Sequence, residues 1–127
     1  MKHLNDNEIL YRQIHPNFLI NGRVSSQAFR PTPKDKSCLS LDRKALTEAK
    51  DSYLNYKARG LPTVGVLELE VKEFQDQNID CIEDPQENNT AHALANYSNL
   101  NNASQKKAGK KLANLAWEKG WAHNPNT

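Results

Sequence analysis

Glycine is scarce in this chain, five in 127 residues, and none is arranged as Gly-x-Gly-x-x-Gly or Gly-x-x-x-x-Gly-Lys. That excludes P-loop and dinucleotide-binding sites, where small residues let the backbone approach a phosphate. Gly-x-Ser-x-Gly is missing too, so no serine sits on the tight elbow of a hydrolase. The two cysteines, Cys38 and Cys81, are far apart and form no Cys-x-x-Cys pair. A disulfide framework and a zinc knuckle are therefore excluded, and both thiols are expected reduced and buried in a cytoplasmic protein. No apolar run approaches the roughly 18 residues of a membrane span. The polar opening Met1–Glu8 lacks the apolar core of a secretory leader. A formal charge of +2 is too small to mark a polycationic nucleic-acid binder.

What is present suits one domain with a lean core: 37% of residues are hydrophobic, and mean hydropathy is −0.84. Charge is polarised along the chain. Residues 22–59 hold nine Lys/Arg against four Asp/Glu, while 68–87 hold eight acids against Lys72 alone. Residues 104–119 carry Lys106, Lys107, Lys110, Lys111 and Lys119 against Glu118. Such asymmetry suits an anionic ligand, RNA included, or a protein partner docking on the acidic stretch or the lysine face.

Residues 1–8 read as a loose arm. Strands are predicted at 9–14, 24–29, 39–41, 64–71, 79–82 and 91–97 from short apolar runs bounded by Pro, Asn, Asp and Gly. Asp42 is placed as the cap of a helix over 42–59 that ends at Gly60, with Leu46, Ala49, Tyr53 and Tyr56 facing inward. A second helix over 103–119 starts from an Asn102/Gln105 capping box, ends at Gly120, and buries Ala108, Leu112 and Leu115. Trp117 and Trp121 anchor it to the body. Helices and strands do not alternate strictly, which favours an α+β fold: a small mixed or antiparallel sheet packed by two helices.

The side chains capable of chemistry are few. Arg12, in a strand, is a candidate fork for phosphate or carboxylate, because its planar donors bind two oxygens at once. His15, beside Pro16, and His92, between two alanines, are candidate catalytic acid and base. Ser26 and Lys107 are candidate ligand contacts through a hydroxyl and a helix-face charge. No metal site is expected: two histidines fall short of three ligands, and Asp84 is a weak third. No cofactor is implied.

Tyr-Arg-Gln-Ile-His-Pro (11–16), Ser-Ser-Gln-Ala-Phe (25–29), Leu-Ser-Leu (39–41) and Asp-Pro-Gln-Glu-Asn-Asn-Thr-Ala-His-Ala (84–93) together resemble a set of small bacterial proteins of unassigned function. The resemblance implies a bacterial origin and no activity. In their order, Arg12, Ser25-Ser26 and Glu68-Leu69-Glu70 resemble ADP-ribosyltransferase-type toxins, although the Ser-Thr-Ser form is absent. The expectation is a metal-free polar pocket of Arg12, His15, Ser26 and His92 for a nucleotide or RNA phosphate, in a toxin or defence effector. A non-enzymatic interaction module is the competing class, and an ADP-ribosyltransferase-like enzyme a further one.

Overall fold

The computed structural model describes residues 2–32, 34 and 36–125. In chain order the strands are β1 (Ile9–Gln13), β2 (Leu19–Ile20), β3 (Arg23–Val24), β4 (Cys38–Arg43), β5 (Val66–Glu70), β6 (Asp80–Glu83) and β7 (His92–Asn96). The helices are α1 (Ala49–Ala58), α2 (Val71–Gln75) and α3 (Asn102–Lys119), with 3₁₀ turns at Pro16–Phe18 and Ser26–Phe29. Five strands form one sheet in the order β5-β1-β4-β7-β6, and every pairing is antiparallel. The separate β2–β3 hairpin turns over Asn21-Gly22, both at positive φ, as a two-residue hairpin loop requires. The fold is α+β, as the chain pattern predicts.

Strand alternation gives the sheet two unlike faces. Leu10, Leu39, Leu41, Leu67, Leu69, Cys81, Ala93 and Ala95 belong to the main apolar core. Register places these strand residues on one face, which α3 covers with Ala108, Leu112, Ala113 and Ala116. Gly109 lets α3 close on the 3₁₀ turn: a Cβ there would lie 3.0 Å from the Ser26 carbonyl oxygen. The opposite face is covered over only part of its width. There α1 packs Ala49 and Tyr53 on Tyr11 and Val66 in a small second cluster.

Several expectations are corrected. Asp42 is not a helix cap; the Leu39-Ser40-Leu41 alternation runs on through it into β4, where it pairs with His92. The helix accordingly begins at Ala49, and Leu46, outside it, is 55% exposed. Residues 26–29 form a 3₁₀ turn rather than a strand, because the sheet supplies partners for its carbonyls: Tyr97 Oη donates to Phe29 O and Arg12 Nε to Ala28 O. The strand expected over 64–71 stops at Glu70, where a capping box of Glu70 and Glu73 opens α2. The cap of α3 is Asn101, whose side chain accepts from Ser104 N, and not Asn102.

The arm is not loose. Leu4 N donates to Cys81 O, Glu83 N donates to Lys2 O, and the Leu4 side chain is buried, so the arm covers the outer edge of β6. Both cysteines are free thiols, but only Cys81 is buried; Cys38 is half-buried. No helix among the described residues is long and apolar enough to cross a membrane.

Candidate functional site

Among the described residues, the buried polar and charged side chains are Asp42, Ser52, Thr63, Asn89 and His92. None lies on the α3 side of the sheet. Four of them belong to one chain of hydrogen bonds. Thr63 Oγ1 bonds Gln13 Oε1 at 3.0 Å, Gln13 Nε2 donates to Ser52 Oγ at 2.8 Å, and Ser52 Oγ donates to Asp42 Oδ2 at 2.6 Å. Asn89 Nδ2 fills the other oxygen, Asp42 Oδ1, at 2.8 Å. A buried carboxylate is tolerated when its lone pairs are met this fully. The network ties α1, β1, β4 and the loop before β7 into one wall.

His92 stands directly opposite Asp42 in the β4–β7 register, hence on the same face. Its Nδ1 lies 2.9 Å from Asp84 Oδ2 and 3.2 Å from the Asp84 carbonyl oxygen. Both neighbours are acceptors, so Nδ1 carries the proton and the lone pair of the neutral ring is on Nε2. Asp84 N donates to His92 O at 2.9 Å, closing the β6–β7 loop and fixing the two side chains together. Gln86 Nε2 reaches the same Asp84 oxygen at 3.4 Å.

These groups border a cavity of about 480 Å³, lined also by Tyr11, Cys38, Ser40, Tyr56, Leu61 and Leu94, with Lys34, Lys36 and Arg59 around it. All three cations are exposed, and none forms an ion pair among the described residues. Arg59 lies over the Tyr56 ring, 5.4 Å from its centroid. Tyr11, under α1, is nearly buried; desolvation first, then the charges of Glu48 and Glu68, raise its hydroxyl pKa, so it stays protonated at neutral pH. The site therefore combines an imidazole whose Nδ1 faces two acceptors, a carboxylate to stabilise its protonated form, and three exposed cations. It can accept a proton at Nε2 beside a bound anion.

Of the residues singled out from the chain, Arg12 and His92 border this one cavity, whereas His15, Ser26 and Lys107 do not. Arg12 fills the gap where β1 and β4 part beyond Tyr11, with Nε donating to Ala28 O at 2.7 Å and Nη1 to Ser40 O at 3.1 Å. Its guanidinium braces the turn against the strand while still lining the cavity. His15 caps the Pro16–Phe18 turn, its Nδ1 accepting from Asn17 N at 2.9 Å. His15 does not share the cavity that His92 borders. Ser26 opens the 3₁₀ turn under α3, and Lys107 is exposed on α3. Ser25, Ser26, Glu68 and Glu70 do not border the cavity with Arg12.

Pattern reading singles out none of Ser52, Asn89 and Arg59; it places Asp42 as a helix cap, Tyr56 on an inward helix stripe and Asp84 as a weak third metal ligand. The nearness of Asp84 to His92 has a legible signal: the two flank one polar loop between two predicted strands, and antiparallel pairing brings such ends together. No group of three or more potential metal ligands is found among the described residues. Comparison of the chain with protein-family models, curated proteins and solved structures finds no match.

Proposed function

We propose that the cavity binds a phosphate-bearing ligand, a nucleotide or RNA, and that His92 exchanges a proton with it. The observation that carries this is the Asp84–His92 pair, 2.9 Å apart, lining one cavity with Lys34, Lys36 and Arg59. The cations hold the phosphate oxygens and offset charge that develops on them. In an RNA, His92 Nε2 takes the proton of a ribose 2′-hydroxyl as its oxygen bonds the adjacent phosphorus and the P–O5′ bond breaks, and the imidazolium, stabilised by the Asp84 carboxylate, returns that proton to the leaving 5′-oxygen. Such ligands are abundant in the cytoplasm, where the protein is taken to act.

The test is an NMR titration of the protein with mononucleotides and short RNAs, followed at the His92 ring and the Lys36 and Arg59 amides. Shifts at all three are expected, weakened about tenfold in Arg59→Ala. RNA incubated with the protein should be converted by the wild type and not by His92→Ala. Binding without conversion would leave a non-enzymatic module using the same cavity. Absence of shifts at His92 with every ligand would overturn the proposal.

A further inference from the structure

A second cavity, of about 430 Å³, adjoins the first. Lys36 belongs to the lining of both. Among the described residues the second is bordered by Phe18, Arg30, Thr32, Ser37 and Gln105 among others, and by no acidic side chain. Each cavity falls within the roughly 300–1,000 Å³ usual for a small-molecule site. The first is lined by Tyr11 and Tyr56 with Arg12 and Arg59, the second by Phe18 and Arg30, and the Arg12 guanidinium lies over the Phe18 ring, 5.7 Å from its centroid, while Lys36 is shared. Proteins that hold single-stranded nucleic acid use this repeat: a ring or guanidinium to stack each base, and a cation for each phosphate between them.

The backbone at the junction is held in an uncommon conformation. Lys36 and Ser37 are consecutive non-glycine residues in the left-handed region, at φ 51° and 65°. Residues with a Cβ avoid that region, and persist there where the surrounding structure fixes a position that matters. Here the Ser37 carbonyl is held by Tyr97 N at 2.8 Å. The conformation sets Lys36 where the two cavities meet.

We infer that the ligand is a single-stranded oligonucleotide spanning both cavities, with one nucleotide in each and the connecting phosphate at Lys36. This rests on the phosphate-binding role proposed for the first cavity and extends it from one nucleotide to at least two. The experiment compares adenosine 5′-monophosphate with the trinucleotides r(A)₃ and d(A)₃ on the intact protein, by amide shift mapping and by affinity against salt. The trinucleotides should bind at least tenfold tighter and shift Phe18, Thr32 and Gln105 together with Cys38 and His92. Their log-affinity should fall more steeply with log salt than that of the monophosphate, by about 0.7 for each additional phosphate contacted. In Arg30→Ala, and in Arg30→Gln if the first variant folds poorly, the gap between trinucleotide and monophosphate should close. Equal affinities for r(A)₃ and d(A)₃ would support recognition through phosphate and stacking; tighter r(A)₃ would support it with an added 2′-hydroxyl contact. Monophosphate and trinucleotides binding alike, with shifts confined to the first cavity, would overturn the two-cavity ligand and leave the first site standing. Trinucleotide shifts at Phe18 and Thr32 but none at His92 would overturn both.

Discussion

The two faces of the sheet solve different problems with the same strands. On the α3 side an 18-residue helix lies across the sheet, and small residues, Ala108, Gly109, Ala113 and Ala116, bring it close. What is buried there is mostly hydrocarbon, with the Tyr97 hydroxyl bonded to Phe29 O. On the other side a 10-residue helix covers β1 and the near part of β5, and β4 and β7 carry polar side chains into a cavity. The difference shows how a lean core accommodates a site: stability is concentrated on one face, and polar groups are buried on the other only where hydrogen bonds receive them.

Substitutions should separate the faces by the size and kind of their effects. The largest loss of stability is expected from Leu112→Ala, which removes a fully buried side chain beneath α3. It should cost about 2–5 kcal/mol in denaturant unfolding. A comparable cost for a rim variant would break the comparison.

Next come the buried polar groups. Asp42→Ala leaves Ser52 and Asn89 without their shared acceptor, and about 1–3 kcal/mol should be lost. Ligand affinity should fall with it, since the cavity wall loosens. Arg12→Lys should cost a similar amount, because an ammonium cannot span the Ala28 and Ser40 carbonyls as the guanidinium does. Full stability in Arg12→Lys, with binding alone reduced, would make Arg12 a ligand fork rather than a brace.

A pH titration sharpens the contrast, since burial dominates it on the covered face. Desolvation first, then the nearby charges of Asp80 and Glu8, push the Cys81 thiol up from 9.0 to about 12. Between those values the unfolded chain loses this proton while the folded one keeps it, so folding is favoured below pH 9 and weakens as pH rises towards 12. Desolvation raises Tyr97 in the same core, and Tyr11 under α1 on the opposite face, in the same direction. Urea midpoints should therefore fall steadily above pH 9, and less steeply in Cys81→Ala. A flat profile would contradict the burial of that thiol.

The smallest effect on stability belongs to Arg59→Ala on the rim, expected within about 0.5 kcal/mol as for most exposed positions, with the drop in phosphate affinity already described.

The sequence made much of the scaffold legible and little of the site. The β7 segment, the α3 span and the stops at Gly60 and Gly120 follow from periodicity and from residues suited to helix ends. Gly60 and Gly120 indeed take positive φ. The failures are equally physical. Asp42 has the chemistry of a cap and the spacing of a strand, and the strand prevailed because β1 and β7 pair on either side of it. Val71 continues the β5 alternation, yet Glu70 and Glu73 cap a helix there. In the site, His92 was visible as a titratable residue among small neighbours. Its surroundings come from residues 11 to 89, and no spacing rule connects Gln13, Asp42, Ser52, Thr63 and Asn89 before the chain folds.

The uneven seam through the sheet has a kinetic consequence. β1 is in register with β5 over five residues, Ile9 to Gln13, but with β4 only at Leu10 and Tyr11. The sheet should therefore open as two units, β5-β1 and β4-β7-β6, joined by a short seam and the Arg12 brace. Such units open separately in native-state hydrogen exchange. Amides at the seam should exchange through a local opening, faster than those of the β4–β7 ladder, which need global unfolding. The candidate cavity draws Tyr11 and Gln13 from one unit and Ser40, Asp42 and His92 from the other. A bound ligand would bridge them, and its occupancy should be readable as slowed exchange along the seam.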